Sequence, residues 1–182
     1  MPTLQSKTQM KTITLSITAC SLLTCLAHDV AAKTIFITPP IEVKIHNPSS
    51  IEYQRNKTTL SIVVPENAGT PLESVALHQL PNIDAWNWGK AEPTVYLGEY
   101  SIRAKGIKNL AKTKRSISDR LITIQLIPAI EPGQQVNIVF RGSNPEASVY
   151  QWATKMTPFG ENPITYDGPT LRLNVYEPDY FR

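Results

Sequence analysis

Cysteine is almost missing from this 182-residue chain: there are two, Cys20 and Cys25, and both fall in the first 32 residues. Residues 33–182 therefore carry no disulfide, thiolate metal site, cysteine nucleophile or thiol redox chemistry. Histidine is nearly as scarce. Only His46 and His78 lie beyond residue 32, too few for a three-histidine zinc site, and neither stands in a catalytic motif. No apolar run approaches the ~20 residues that a membrane-spanning helix needs, and no window sustains a 3.6-residue apolar stripe. The Gly-x-Ser-x-Gly elbow, the His-Glu-x-x-His pair, the Walker loop and the dinucleotide fingerprint are all absent. Charge of neither sign dominates at a formal +3, whereas a nucleic-acid binder would show a strongly basic domain. These absences remove the motif-bearing enzyme classes, and no nucleic-acid partner is expected.

The first 32 residues are of a different kind. Lys7 and Lys11 precede the mostly apolar run from Ile13 to Ala27, and Val30-Ala31-Ala32 supplies small residues. Met1 to Ala32 thus reads as a cleavable signal peptide, with Met10 a more ordinary start than Met1. Thr14, Ser16, Thr18, Ser21 and Thr24 make the run too polar to stay as an anchor, so the mature chain has no transmembrane segment. Two variants of processing would matter. Ile17-Thr18-Ala19-Cys20 loosely resembles a lipobox that would lipidate Cys20, although the apolar run continues past it. A cut after Ala27 would expose His28 as the N-terminus, where amine and imidazole together chelate copper. The cut after Ala32 has the more orthodox ending and leaves a domain for which no metal or cofactor is expected. That domain, residues 33–182, keeps 16 basic and 14 acidic residues, and its destination is the periplasm, the cell surface or the medium.

Beyond Ala32 the apolar residues alternate with period two, as in strands half-buried against a core. Ile35 and Ile37 begin the pattern. Leu60, Ile62 and Val64 share one face and Thr59, Ser61 and Val63 the other, up to Pro65. Ile122, Ile124 and Leu126 repeat it up to Pro128; Val136, Ile138 and Phe140 alternate with Asn137, Val139 and Arg141; Leu171, Leu173 and Val175 close the series. Weaker strands are expected over 41–46, 75–79, 95–100 and 149–156. Pro39-Pro40, Asn47-Pro48, Pro132-Gly133, Asn144-Pro145 and Asn162-Pro163 break the ladders. The segment 107–121 is so rich in Lys and Arg that it reads as a loop or one turn of helix. Many short strands with no helices between them predict an all-β fold, an antiparallel immunoglobulin-like β-sandwich. The turn 128–133 joins two well-patterned strands, as in such domains.

Several motifs are similar to those of a known family. Pro65-Glu66-Asn67-Ala68-Gly69 followed by Pro71-Leu72 and Val75, then Pro132-Gly133, Asn144-Pro145, Val149-Tyr150, Pro158-Phe159-Gly160-Glu161-Asn162-Pro163, Gly168 and the run from Leu171 to Tyr176 resemble the cyanobacterial exported proteins called domain of unknown function 2808. The resemblance spans roughly residues 34–176. It implies a cell-envelope or extracellular setting and an all-β domain, and carries no catalytic or ligand residue.

Two features suggest a binding surface. Trp86 and Trp88, spaced i, i+2, project from one face of an extended segment; exposed, they would stack on sugars or seat a protein partner, and buried, they would anchor the segment on the core. Arg103, Lys105, Lys108, Lys112, Lys114, Arg115 and Arg120, opposed only by Asp119, would rest on anionic envelope polymer or lipid headgroups, or simply solvate a loop. The competing class is a glycan-acting enzyme with two of Glu66, Asp84, Glu92, Glu99 and Glu161 paired about 5–10 Å apart. The favoured expectation is a non-catalytic structural or binding module with an envelope polysaccharide or protein partner.

Overall fold

The computed structural model describes residues 32–116 and 120–179. The expected leader, with Cys20 and His28, lies outside them except for Ala32. The strands are β1 (Val43–His46), β2 (Arg55–Val63), β3 (Leu72–Gln79), β4 (Thr94–Leu97), β5 (Ala111–Ser116), β6 (Leu121–Ile130), β7 (Gln135–Ser143), β8 (Ser148–Pro158), β9 (Tyr166–Asp167) and β10 (Leu171–Val175). They form a four-stranded sheet, β1-β2-β7-β4, and a larger one, β10-β8-β3-β6-β5, with the short β9 also paired to β8. Every strand pairing is antiparallel. The chain changes sheet between β2 and β3, β3 and β4, β4 and β5, β6 and β7, and β7 and β8, so neighbours in sequence face each other across the core. This is an immunoglobulin-like β-sandwich.

The alternation decides the inside. Leu60, Ile62, Ile138 and Phe140 from the smaller sheet and Leu77, Ile122, Ile124, Trp152 and Met156 from the larger are all nearly or wholly buried in one cluster, each aliphatic one worth about 1.5–3 kcal/mol of burial. The weaker expected strands are also present, as β1, β3, β4 and β8.

Three local expectations need correction. Near the start it is Phe36, 9% exposed, that turns inward, while Ile35 and Ile37 are 56% and 77% exposed; the segment forms only single backbone links to Glu161, Ile164 and Ala68, and burying its largest apolar side chain sets the parity. Pro128 does not end its strand. It sits in β6 where pairing with β3 jumps from Gln125 to Ile130, an irregularity that needs no N–H from it. Finally, 111–116 is a strand and not a helical turn: Ala111, Thr113 and Arg115 pair with the inward Ile124 row while Lys112 and Lys114 face outward. Lysines on an edge strand are how sheets avoid adding further strands, so the charge that obscured the pattern belongs to it.

Candidate functional site

The outward face of the smaller sheet should by alternation be wet, yet Thr59, Ser61, Asn137 and Val139 are buried there. The cause is the segment after β4. Residues 98–107 fold back across the sheet as a flap: Asn137 Nδ2 donates to the Gly98 carbonyl at 2.6 Å, and Tyr100 stacks on His46 of β1, the far edge strand, with centroids 3.7 Å apart and planes within 8°. The flap returns to β4 through paired Val95 and Ile107. Ser61 Oγ donates to Asn137 Oδ1 at 2.5 Å, so these two covered side chains satisfy each other, whereas His46 Nε2 is buried beneath the flap without a hydrogen-bond partner. Burial, and secondarily Lys44, lowers the His46 pKa.

Where the flap stops, a concavity of about 860 Å³ opens, with Ile102 of the flap as one wall and Pro48 and Ser49 of the β1–β2 loop nearby. Its size is typical of ligand sites. Arg55, Lys57, Lys90 and Arg141 line it, and no Asp or Glu does. Lys57 and Arg141 are direct cross-strand partners in the β2–β7 ladder, two like charges placed opposite each other, an arrangement that destabilises a sheet. Among the described residues none of these four cations forms an ion pair; the two salt bridges there are Lys44–Glu42 and Lys155–Asp167.

The concavity is held rigidly. Asn144, buried, donates to the carbonyls of Ser49 and Ile51 at 2.9 and 2.6 Å, and its Oδ1 accepts from Asn47 and Asn56, both at 3.0 Å. Two of the three Asn-Pro breakers of the sequence, Asn47-Pro48 and Asn144-Pro145, are thus tied to each other. On the other side residues 80–91 form a strap across the sheet ends. Asn87 bridges to Ser143 and its Nδ2 donates to Ser143 Oγ at 2.9 Å. Gly89 and Gly142 let the strap touch β7, since a Cβ on either would strike a backbone carbonyl oxygen, of Arg141 or Asn87.

The residues singled out in the sequence divide between these structures. Trp86 is 5% exposed and Trp88 packs on the same core, their rings in edge or tilted contact with Trp152, Tyr150 and Phe140 at 4.9–5.8 Å. Of the two alternatives the indoles take the anchoring one: the shared face points into the gap between the sheets, where burial of two indoles outweighs exposure. Gln79 fixes the strap beside them, donating to the Asp84 carbonyl and accepting from Trp86 N, both at 2.8 Å. Arg115 grips it from β5, donating to the carbonyls of Gly89 and, at 3.2 Å, Ala91, on either side of Lys90. With Trp86, Trp88 and Arg120 it also lines a smaller cleft of about 200 Å³. Arg103, Lys105 and Lys108 are exposed on or just past the flap, and Lys112 and Lys114 on the other sheet's edge; none lines the concavity.

Glu92 accepts from Thr113 at 2.8 Å, and Asp84 accepts from the Ala85 amide at 2.7 Å. Neither cleft contains a carboxylate pair. Burial foremost, then Asp84 and Glu146, pushes the Tyr150 hydroxyl up to about 12, and it donates to the Glu146 carbonyl at 2.8 Å. Among the described residues no three His, Cys, Asp or Glu side chains cluster as a metal site, and no helix is long and apolar enough to cross a membrane.

The arrangement was not foreseeable from local motifs, since Arg55, Lys57, Lys90 and Arg141 are scattered in the sequence. A partial signal was the placement of Lys57 and Arg141 on the polar side of alternating strands.

A family model described as "Protein of unknown function (DUF2808)" matches residues 33–175. No curated protein matches in sequence. Among solved structures, an uncharacterized protein from Nocardia farcinica with an immunoglobulin-like fold is 16% identical, with 73% of this chain and 96% of that one covered and a TM-score of 0.44. The collagen-binding subdomain of the Enterococcus faecalis surface protein ACE is 9% identical over 72% and 95%, with a TM-score of 0.44. A collagen-binding domain from a Staphylococcus aureus adhesin is 9% identical over 77% and 100%, with a TM-score of 0.41. Likenesses this distant say nothing of a ligand.

Proposed function

The chain belongs to the DUF2808 family, and we propose that it works there as a non-catalytic binding module outside the cytoplasmic membrane, seating an anionic partner on the outer face of its smaller sheet. The charged leader followed by an apolar run supports export. The observation that carries the binding site is the acid-free concavity in which Lys57 faces Arg141. Folding alone gives no reason to place those two charges together, and an anion relieves both at once.

The test compares two doubly neutralised proteins of equal net charge. Lys57→Gln with Arg141→Gln should elute from a sulfonate cation exchanger at clearly lower salt than Lys112→Gln with Lys114→Gln, and it should lose capture of envelope extract. Equal elution and equal capture would place the anion contact elsewhere or nowhere. Cell fractionation with mass spectrometry of the N-terminus checks export: Lys33 as first residue of the exterior protein is expected, and an intact leader on cytosolic protein refutes it.

A further inference from the structure

We infer that the concavity holds a stretch of acidic polysaccharide several sugars long, and this rests on the reading that the smaller sheet seats an anion. The spacing of the cations is the first argument. Arg55 and Lys57 lie two residues apart on one face of β2, about 7 Å, and Arg141 lies across from Lys57, about 5 Å away at Cβ, while Lys90 stands on the strap at the rim. One phosphate or sulfate reaches the Lys57–Arg141 pair but not the whole array. A ligand that repeats its negative charge meets all four.

The neutral lining argues for a ligand rich in hydroxyls. Ser143 accepts from Asn87 Nδ2 and keeps its own O–H to donate; Ser49 Oγ donates to Gln54 Oε1 at 2.5 Å, accepts from Ile51 N at 3.5 Å and keeps a second lone pair. Ile102, 55% exposed, and Pro48 offer apolar surface to the C–H face of a sugar ring. The strap and the flap wall are pinned at both ends, so the cations are presented with little ordering left to do on binding.

The same lining disfavours other polyanions. It has no aromatic side chain, and base stacking on aromatic rings is what holds single-stranded nucleic acid. An acidic peptide that adds as a strand needs a free sheet edge, whereas beside these residues the strap's Asn87 already bridges to Ser143 of β7 and Ser49 of the β1–β2 loop is bonded to Asn56 of β2.

The experiment is calorimetric titration of the purified protein with oligogalacturonates from monomer to hexamer, inorganic sulfate, a neutral glucose hexamer, and a polyphosphate matched in charge to the acidic hexamer. Affinity should rise with length, the hexamer binding about tenfold or more tighter than the monomer, with the neutral hexamer silent and polyphosphate weaker. Lys57→Gln with Arg141→Gln should weaken the hexamer about tenfold, a change of about 1.4 kcal/mol, while Lys112→Gln with Lys114→Gln leaves it nearly unchanged. In the wild type, hydrogen exchange should show protection by the hexamer at 55–57, 87–90 and 141–143, which needs no variant to fold. Sulfate or the monomer binding as tightly as the hexamer would overturn the polymer and leave the anion seat standing. Polyphosphate binding equally well would overturn the glycan. No binding by any anion would overturn the inference together with the reading beneath it.

Discussion

Neutralising Lys57 should make the free protein more stable and the bound protein less so. With cross-strand Cβ atoms about 5 Å apart and heads free to splay to about 7 Å, Lys57 and Arg141 repel by about 0.6 kcal/mol at a dielectric of 80 and about 1.2 at 40. Lys57→Gln keeps only the first two stem methylenes but stays polar, and it removes that repulsion. At about 2–4 °C per kcal/mol for a domain near this size, the melting temperature at low salt should rise by about 1–5 °C. The assay is thermal unfolding of the wild type, Lys57→Gln, Arg141→Gln and the double variant, each at low salt and in about 1 M salt, where the Debye length is about 3 Å. The double-mutant cycle should return a repulsive coupling that shrinks with salt. Saturating anionic ligand should reverse the order, because it stabilises only the state that binds it. A coupling of zero, an attractive one, or a stabilisation indifferent to salt would refute the claim that this pair is a strain that a ligand relieves.

Three further outcomes follow from the packing. Trp86→Ala should destabilise by about 3–5 kcal/mol, read from urea unfolding, because the indole is buried among Trp88, Tyr150 and Trp152; a nearly unchanged midpoint would mean that the strap is not anchored there. Asn144→Ala strands the carbonyls and amides it serves and should cost about 2–3 kcal/mol, with faster hydrogen exchange in residues 47–56; a neutral result would show that water replaces the side chain. Stability should fall as pH drops below about 6.5, the ordinary histidine value: the folded state holds His46 neutral through burial and Lys44, so the unfolded chain binds the extra proton. The loss should level off below the lowered folded pKa. His46→Phe, which keeps the stack on Tyr100, should flatten that dependence, and an unaltered slope would remove His46 as its source.

The core was legible because period-two alternation is a local signal that burial enforces, so Leu60, Ile62, Ile122, Ile124, Ile138 and Phe140 all face inward as read. Where alternation misled, something nonlocal intervened. Phe36 outcompeted Ile35 and Ile37 for the inside because that segment has no ladder to hold its register. The 111–116 strand was hidden because an edge strand draws its lysines from the same composition as a loop. Thr59 and Asn137 were read correctly as the opposite face, but their burial depends on a flap whose path over β7 and β2 to His46 no spacing announces.

The candidate site shows the same division more sharply. Trp86, Trp88 and Arg115 are conspicuous in sequence because they are large, close together or embedded in charge, and structure gives all three a task within the strap: two rings hold its root in the core and one guanidinium holds the carbonyls flanking Lys90. The cations that converge are inconspicuous. Lys57 and Arg141 are 84 residues apart and meet only because Thr59 pairs with Val139 and Ile62 with Val136 in the same ladder. Packing inside therefore fixes the register, and the register places two like charges opposite each other outside. A one-residue slip of either strand would turn its own cation toward the core and expose Leu60 or Ile138 in its place, so the fold has no way to separate the pair without losing part of its interior. The repulsion is built into the sandwich: splaying heads and salt weaken it, and changing a side chain or seating an anion between the two charges removes it.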